Sequence, residues 1–153
     1  MSDLEIRGAD DIDALVKRIR THADAKAIRR ELFAGINRAT KTVREDMKAS
    51  IGPSLPSRGG LASLMMAKVS LRTTAKSGKY AGVYIIAKHK EYDLRRMNAG
   101  RLRHPVFGDR RVWVQQTAGV IPGFLDEAFK RDKPELARAI SKVMDDIARR
   151  VES

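Results

Sequence analysis

The chain has 153 residues, no cysteine and a formal net charge of +12 at pH 7. Its length fits a single domain over residues 1–153, while the missing cysteines exclude disulfides, thiolate nucleophiles and zinc–sulfur sites. No apolar run approaches the roughly 20 residues of a membrane span, and no signal peptide is visible, so we expect a soluble protein of cytoplasmic origin without membrane partners.

The positive charge is concentrated in the middle third of the chain. Residues 58–111 contain 13 basic and 3 acidic side chains, a balance of +10, whereas residues 1–57 balance at +2 and residues 112–153 at zero. A region of one sign favours contact with a polyanion or with an acidic protein surface. The alternative is a solvated face that keeps the protein soluble.

The first 52 residues predict one short strand followed by helices. Alternation over Leu4–Gly8 favours an edge strand. A helix is predicted to begin at Asp10 or Asp11, with apolar residues at helical spacing. A longer amphipathic helix is predicted from Asp24 to Ser50, ending before Gly52-Pro53.

The middle of the chain predicts a β-hairpin. Lys68–Thr74 alternates with period two, and Gly82–Ala87 is β-branched and aromatic, so both favour strands, joined by a glycine-containing turn. Leu61–Met66 is compatible with either a helical turn or a strand.

The last part of the sequence predicts a basic connecting segment, which we call the basic excursion, and then a long helix. Residues 88–111 form the excursion, with a short helix at Tyr92–Ala99, and Val112–Val114 is a third strand candidate. A final helix is predicted from Phe124 to about Arg150, with a possible interruption near Asp132-Lys133-Pro134. Together the elements predict an α+β fold, in which a small antiparallel sheet is packed by long N-terminal and C-terminal helices.

Arginine outnumbers lysine by six to two in the basic excursion. Its guanidinium makes bidentate contacts to phosphate or carboxylate, which suits protein interfaces and DNA backbones. We therefore interpret these arginines as a segment facing a partner or DNA: Arg95, Arg96, Arg101, Arg103, Arg110 and Arg111. The single tryptophan, Trp113, is expected either in the core or at a subunit interface.

The sequence predicts no enzyme and no cofactor. None of the three histidines has metal-ligand spacing to another ligand, and no phosphate-binding glycine motif occurs in a strand-to-helix setting. His89 lies near Glu91 and Asp93, which leaves a metal-dependent nuclease as a remote interpretation.

Three segments give the chain a resemblance to a known family, together with a Pro/Ser/Arg/Gly loop at Pro53–Leu61. They are Arg101-Leu102-Arg103-His104-Pro105-Val106-Phe107-Gly108-Asp109-Arg110, Trp113-Val114-Gln115-Gln116 and Ile121-Pro122-Gly123-Phe124-Leu125. They resemble the tail-component family of long-tailed double-stranded-DNA bacteriophages, whose members are also described as neck, tail-completion or head-to-tail joining proteins. Many members have a Glu-x-Gly-Thr corner after the second strand, where this chain has Asp93-Leu94-Arg95-Arg96 instead.

The resemblance implies a structural virion protein at the head–tail junction, assembled in the host cytoplasm. It implies a ring of identical subunits, with six- or twelve-fold symmetry as options, around the passage for the genome. The neighbours would be head-stopper or adaptor proteins on one side and tail-terminator or tube proteins on the other. The implied structural corner and interface comprise His104, Pro105, Phe107, Gly108, Trp113, Pro122, Gly123 and Phe124.

The alternative interpretation is a non-specific, nucleoid-type DNA-binding protein. Scarce aromatic residues argue against readout of single strands or RNA, and no helix-turn-helix or zinc-finger pattern supports sequence-specific reading. Any DNA contact would therefore be to the backbone.

Overall fold

A computed structural model describes residues 4–5, 9–56, 58–106, 109–117 and 119–152. The helices are α1 (Ala9–Arg20), α2 (Ala25–Ala39), α3 (Lys41–Ala49), α4 (Leu61–Lys68), α5 (Leu94–Asn98) and α6 (Phe124–Glu152), with single 3-10 turns at Gly52–Ser54 and Arg58–Gly60. The strands are β1 (Leu4–Glu5), β2 (Ser70–Lys76), β3 (Gly82–Lys88), β4 (Leu102–Val106) and β5 (Asp109–Gln116). The predicted combination of helices and strands is confirmed.

The main sheet has the order β1-β3-β2, and both of its pairings are antiparallel. The central strand β3 buries Val83, Ile85 and Ala87 on one face, as alternation along a pleated strand requires. The predicted hairpin is therefore confirmed, with its first strand running two residues beyond the predicted end. The predicted edge strand forms at Leu4–Glu5, while residues 6–8 of that prediction lie outside the described residues.

The helices bury one continuous core. In α1, the four residues Ile12, Leu15, Val16 and Ile19 are all buried, which confirms the helical spacing read from the sequence. The long helix α6 contacts α1, α2 and α3. No helix among the described residues combines the length and the apolar composition that crossing a bilayer requires.

The single helix predicted over Asp24–Ser50 is wrong, because the chain forms two helices separated at Thr40. The hydroxyl of Thr40 is fully buried and lies 3.1 Å from the carbonyl oxygens of Ile36 and Asn37 and 2.5 Å from the hydroxyl of Thr73 in β2. A threonine hydroxyl that bonds to the preceding turn competes with the helix ladder. This contact fixes the break between the helices against the sheet.

The interruption considered near Asp132-Lys133-Pro134 does not occur, since α6 continues through Pro134 to Glu152. Leu136, Ile140 and Ile147, which follow the proline, are buried, so packing outweighs the lost backbone hydrogen bond. The ambiguous segment at Leu61–Met66 belongs to a helix, α4.

The third strand candidate does not join the main sheet. Val112–Val114 lies within the longer strand β5, which pairs only with β4 in a separate two-stranded sheet. Strand β4 was not predicted, because Arg-Leu-Arg-His-Pro has weak strand propensity and includes a proline. The small sheet expected from the sequence is therefore two sheets.

Candidate interaction site

Strands β4 and β5 form an antiparallel hairpin, which we call the arm (Leu102–Val106 and Asp109–Gln116). The two strands contact each other and make few contacts with any other element. Leu102, at the base of the arm, is buried. An isolated two-stranded hairpin is at best marginally stable in water and usually needs a third strand or a covering surface. Among the residues that the structure describes, the arm has little of either.

The arm exposes three consecutive apolar side chains. Val112, Trp113 and Val114 are exposed by 50%, 43% and 40% respectively. Neighbouring residues of a strand point to opposite faces, so apolar surface is exposed on both sides of β5. Exposed contiguous apolar surface is a common mark of an interaction site.

Trp113 is therefore not a core residue of this chain, and that alternative for it is wrong. Its indole ring lies beside Arg103 of β4, whose guanidinium carbon is 5.9 Å from the ring centroid. Arg103 is opposite Gln115 and diagonal to Trp113 in the strand register. A guanidinium over an indole face is a cation–π contact, which joins a cation and an apolar ring on one face of the arm. The expectation that Trp113 contacts another subunit stays a prediction.

A shallow pocket of about 180 Å³ lies between α5 and the base of the arm. Arg96, Arg101 and Arg103 line it together with the rings of Tyr92 and Trp113. The structure thus brings together three of the six predicted arginines and the predicted tryptophan. Glu91 and Asp93 also line the pocket, so part of its positive charge is balanced locally.

Helix α5 positions the arginines before the arm. The carboxylate of Asp93 accepts hydrogen bonds from the backbone N–H groups of Arg95 (3.0 Å) and Arg96 (3.2 Å), as an N-cap residue does. The same carboxylate lies 3.6 Å from the guanidinium of Arg96. Both arginine side chains are exposed. Asp93 is therefore the N-cap of α5. It stands where many members of the family that the sequence resembles have a Glu-x-Gly-Thr corner.

The remaining predicted residues of this segment lie on the arm or outside the described residues. Arg111 is exposed on β5. Arg110 lies in β5, and His104 and Pro105 lie in β4, but their side chains fall outside the described part of the structure. Phe107 and Gly108 lie outside it altogether.

The corner at Pro122-Gly123-Phe124 bonds to the end of α5. Gly123 has a φ of 72°, which favours glycine, and its N–H donates to the carbonyl oxygen of Asn98 at 2.5 Å. The buried side chain of Asn98 accepts from the N–H of Leu125 at 3.0 Å and donates to Asp126 at 2.9 Å. Phe124 is buried in the core. The first turn of α6 is therefore held by α5, next to the base of the arm.

His89 has a structural role in the chain as described. Its Nδ1 accepts hydrogen bonds from the backbone N–H groups of Glu91 (3.0 Å) and Tyr92 (3.2 Å), and its ring stacks edge-on against Tyr92. The described residues contain no group of three or more His, Asp or Glu side chains placed to hold a metal ion.

An acidic groove between α3 and α6 was not predicted from the sequence. The groove has a volume of about 190 Å³, and its lining combines the acidic residues Asp132 and Glu135 with an apolar floor that includes Val43 and Leu136. Desolvation, and then the nearby Asp46, raise the pKa of Asp132 above its ordinary value. Asp46 and Asp132 are far apart in the chain, so only the fold shows that they are neighbours.

Comparisons with protein-family models, with curated proteins and with solved structures found no significant match to this chain.

Proposed function

We propose that this protein is a non-catalytic structural subunit of the head-to-tail connection of a long-tailed bacteriophage or a related particle. In this proposal, copies of the chain form a ring at the head–tail junction of the virion after assembly in the host cytoplasm. The ring contacts a head-stopper or adaptor protein on one side and a tail-terminator or tube protein on the other.

The arm is the observation that carries the proposal. It projects from a well-packed helical body, exposes Val112, Trp113 and Val114, and is bordered by exposed arginines. Such a hairpin gains stability when another protein covers it. Subunits that function only within an assembly have this property, whereas an enzyme needs convergent catalytic groups.

The sequence resemblance supports the same interpretation, because the arm and the corner are its most specific parts. The Arg101–Arg110 and Trp113–Gln116 segments form most of the arm, and the Pro122-Gly123-Phe124 corner fixes α6 beside it. The residues of the resemblance thus lie at the base of the arm and along it.

The basic segment is proposed to face an acidic neighbouring protein. Exposed arginines at Arg95, Arg96, Arg101 and Arg103 would attract DNA as well as carboxylates. A strongly attractive channel wall, however, would slow a genome that must slide through it. A protein neighbour also explains the exposed apolar residues, which DNA phosphates would leave uncovered.

Neutralising the four arginines tests the proposal. The variant R95Q/R96Q/R101Q/R103Q in a producing strain is expected to yield unjoined heads and tails, visible by electron microscopy. The matched control K26Q/R30Q/R38Q/K48Q removes four exposed charges from α2 and α3 and is expected to join normally. Absence of the wild-type chain from purified virions, measured by mass spectrometry, would contradict the proposal.

A second candidate function is non-specific DNA binding, which the cluster of Arg96, Arg101 and Arg103 favours. It predicts at least micromolar affinity for random duplex DNA and a steep fall in the binding constant with salt concentration. The ring proposal predicts weak binding by the free subunit. A fluorescence titration at several salt concentrations separates the two.

A further inference from the structure

We propose that the arm of one copy of this chain docks into the α3–α6 groove of a second copy. The inference deepens the proposed ring function and rests on it, because it names the partner surface that the arm meets. Trp113 contacts the apolar floor of the groove, and Arg103 and Arg111 pair with the carboxylates of Asp132 and Glu135.

The arm presents a cationic and aromatic face suited to this contact. In the strand register, Trp113 and Gln115 alternate along one side of β5, and Arg103 faces that side from β4. Arg111 lies two residues before Trp113 in the same strand. The side chains of Arg103, Arg111 and Trp113 are all exposed. At about 3.3 Å per residue, the eight residues of β5 extend over about 26 Å.

Among the described residues, the two carboxylates of the groove have one neighbouring cation, Arg131, which pairs with Asp132. Oδ2 of Asp132 is buried and has no hydrogen-bond partner, and the opposite oxygen lies 3.7 Å from the exposed Arg131. An incoming guanidinium supplies several N–H donors in a planar fork. It can approach the exposed Glu135, and its positive charge offsets the repulsion between Asp132 and Asp46.

The two surfaces are complementary in charge and in apolar character. The arm offers an aromatic ring flanked by cations, and the groove offers Val43 and Leu136 below two carboxylates. The residues that line the groove are different from those that line the pocket at the base of the arm. Each copy therefore has both halves of the contact at separate places, which makes a second copy a sufficient partner.

Contact between two different surfaces has a consequence for assembly. Each docked copy still has an unoccupied arm or groove, so copies add head to tail and form a ring when the rotation between neighbours closes, or an open filament when it does not. A symmetric dimer, in which the same patch meets itself, would not extend in this way. The proposed interface therefore accounts for a ring of identical subunits.

Charge-reversed variants test the contact in both directions. The arm variant R103E/R111E and the groove variant D132K/E135K are each expected to lose at least about tenfold in self-association, measured by sedimentation velocity up to millimolar protein. Combining all four changes in one chain restores the complementary charges and is expected to restore assembly. The milder groove variant D132N/E135Q removes the charges without reversing them, and circular dichroism of this variant distinguishes a loss of self-association from a loss of folding.

Mixing variants gives the sharpest outcome. In the mixture, the groove variant still has an intact arm and the arm variant still has an intact groove. The mixture is therefore expected to assemble with the two variants alternating, because the two intact surfaces dock and the two charge-reversed surfaces are again complementary. A mixture that stays monomeric, or wild-type chain that stays monomeric at the highest concentration, overturns the proposal.

Two further outcomes separate this proposal from its alternatives. If R103E/R111E assembles like the wild type but loses affinity for random duplex DNA, the arm binds DNA and the docking proposal fails. If D132K/E135K still enters virions and joins heads to tails, the docking proposal fails while the proposed function stands. If the wild type self-associates through these residues but is absent from virions, the proposed function fails instead.

Discussion

Gly35 of α2 packs directly against Val143 of α6, so closely that a Cβ atom added to Gly35 would lie 2.6 Å from Cγ1 of Val143. The sequence marks Gly35 only as a weak point in a helix, since an interior glycine costs up to about 1 kcal/mol relative to alanine. In the structure, the absence of a side chain at Gly35 allows α2 and α6 to approach each other closely.

We expect Gly35→Ala to destabilise the protein despite the better helix propensity of alanine. Overpacking a contact against a stiff, β-branched side chain costs about 1–3 kcal/mol, which exceeds the propensity gain. Urea unfolding followed by circular dichroism measures the change. In a Val143→Ala background the clash is removed, so the same substitution is expected to become neutral or stabilising. An equal loss in both backgrounds would contradict this explanation.

Thr40→Val should destabilise the protein by about 1–2 kcal/mol, since it removes a buried hydroxyl from a hydrogen-bonded network. Arg44 donates to the hydroxyls of Thr40 (3.1 Å) and Thr73 (2.5 Å) and to Asn37 Oδ1 (2.6 Å), so several polar groups lose a partner. Thermal unfolding checks the effect. Thr42→Val, at an exposed position two residues away, is the matched control and should change stability by less than about 0.5 kcal/mol.

Asn98→Ala is expected to cost about 2–3 kcal/mol, because the buried amide supports the first turn of α6 with both of its polar atoms. The loss should be concentrated near the arm, so the fluorescence of Trp113 is expected to report it along with global unfolding. Asp126→Asn leaves the bond from Leu125 to Asn98 in place and should cost clearly less. A larger loss for Asp126→Asn would show that the charge, rather than the cap, dominates.

The Asp46–Asp132 pair should make stability depend on pH. Because desolvation and then Asp46 raise the pKa of Asp132 in the folded state, the folded protein binds this proton more tightly than the unfolded chain does. The resulting stabilisation is complete below the ordinary carboxyl pKa of about 3.9 and is lost as the pH rises through the raised value.

Asp132→Asn removes that dependence and is expected to stabilise the isolated subunit at neutral pH, by less than about 1 kcal/mol because solvent screens the partly exposed pair. Below the ordinary carboxyl pKa the advantage should disappear. Unfolding midpoints measured across this pH range check it. Asp145→Asn, at an exposed site of α6, is the control, and an equal gain there would show a general effect of net charge.

Local periodicity explains why much of the helical core could be predicted. The apolar line at helical spacing runs through Ile28, Leu32, Ile36, Ala39, Val43 and Met47, and all of these are buried except Ala39, which is partly buried. The break at Thr40 is not visible in this pattern, because the buried residues of α2 and α3 keep the spacing of a single helix. The break depends on a contact with Thr73 in a distant strand, which no window of sequence contains. Pro134, in contrast, suggested a break that does not occur, because the buried residues on its C-terminal side stabilise α6.

The candidate site was only partly visible in the sequence. The arginine-rich composition located the segment, but the pairing of β4 with β5 decides which side chains meet at Trp113. Composition favoured a buried or interfacial tryptophan, and the strand register places it on an exposed hairpin. The acidic groove could not be found at all, because its carboxylates come from α6 while much of its floor comes from α2 and α3.

Pro134 divides α6 into two parts that should open independently. Lacking an amide hydrogen, it leaves the carbonyl of Lys130 without its helical donor. The segment before it is hydrogen-bonded to Asn98 of α5, and the segment after it includes Val143, which packs against Gly35 of α2. Native-state hydrogen exchange should therefore reveal two cooperative units. The arm and its anchoring turn could then adjust to a partner while the rest of the molecule stays folded.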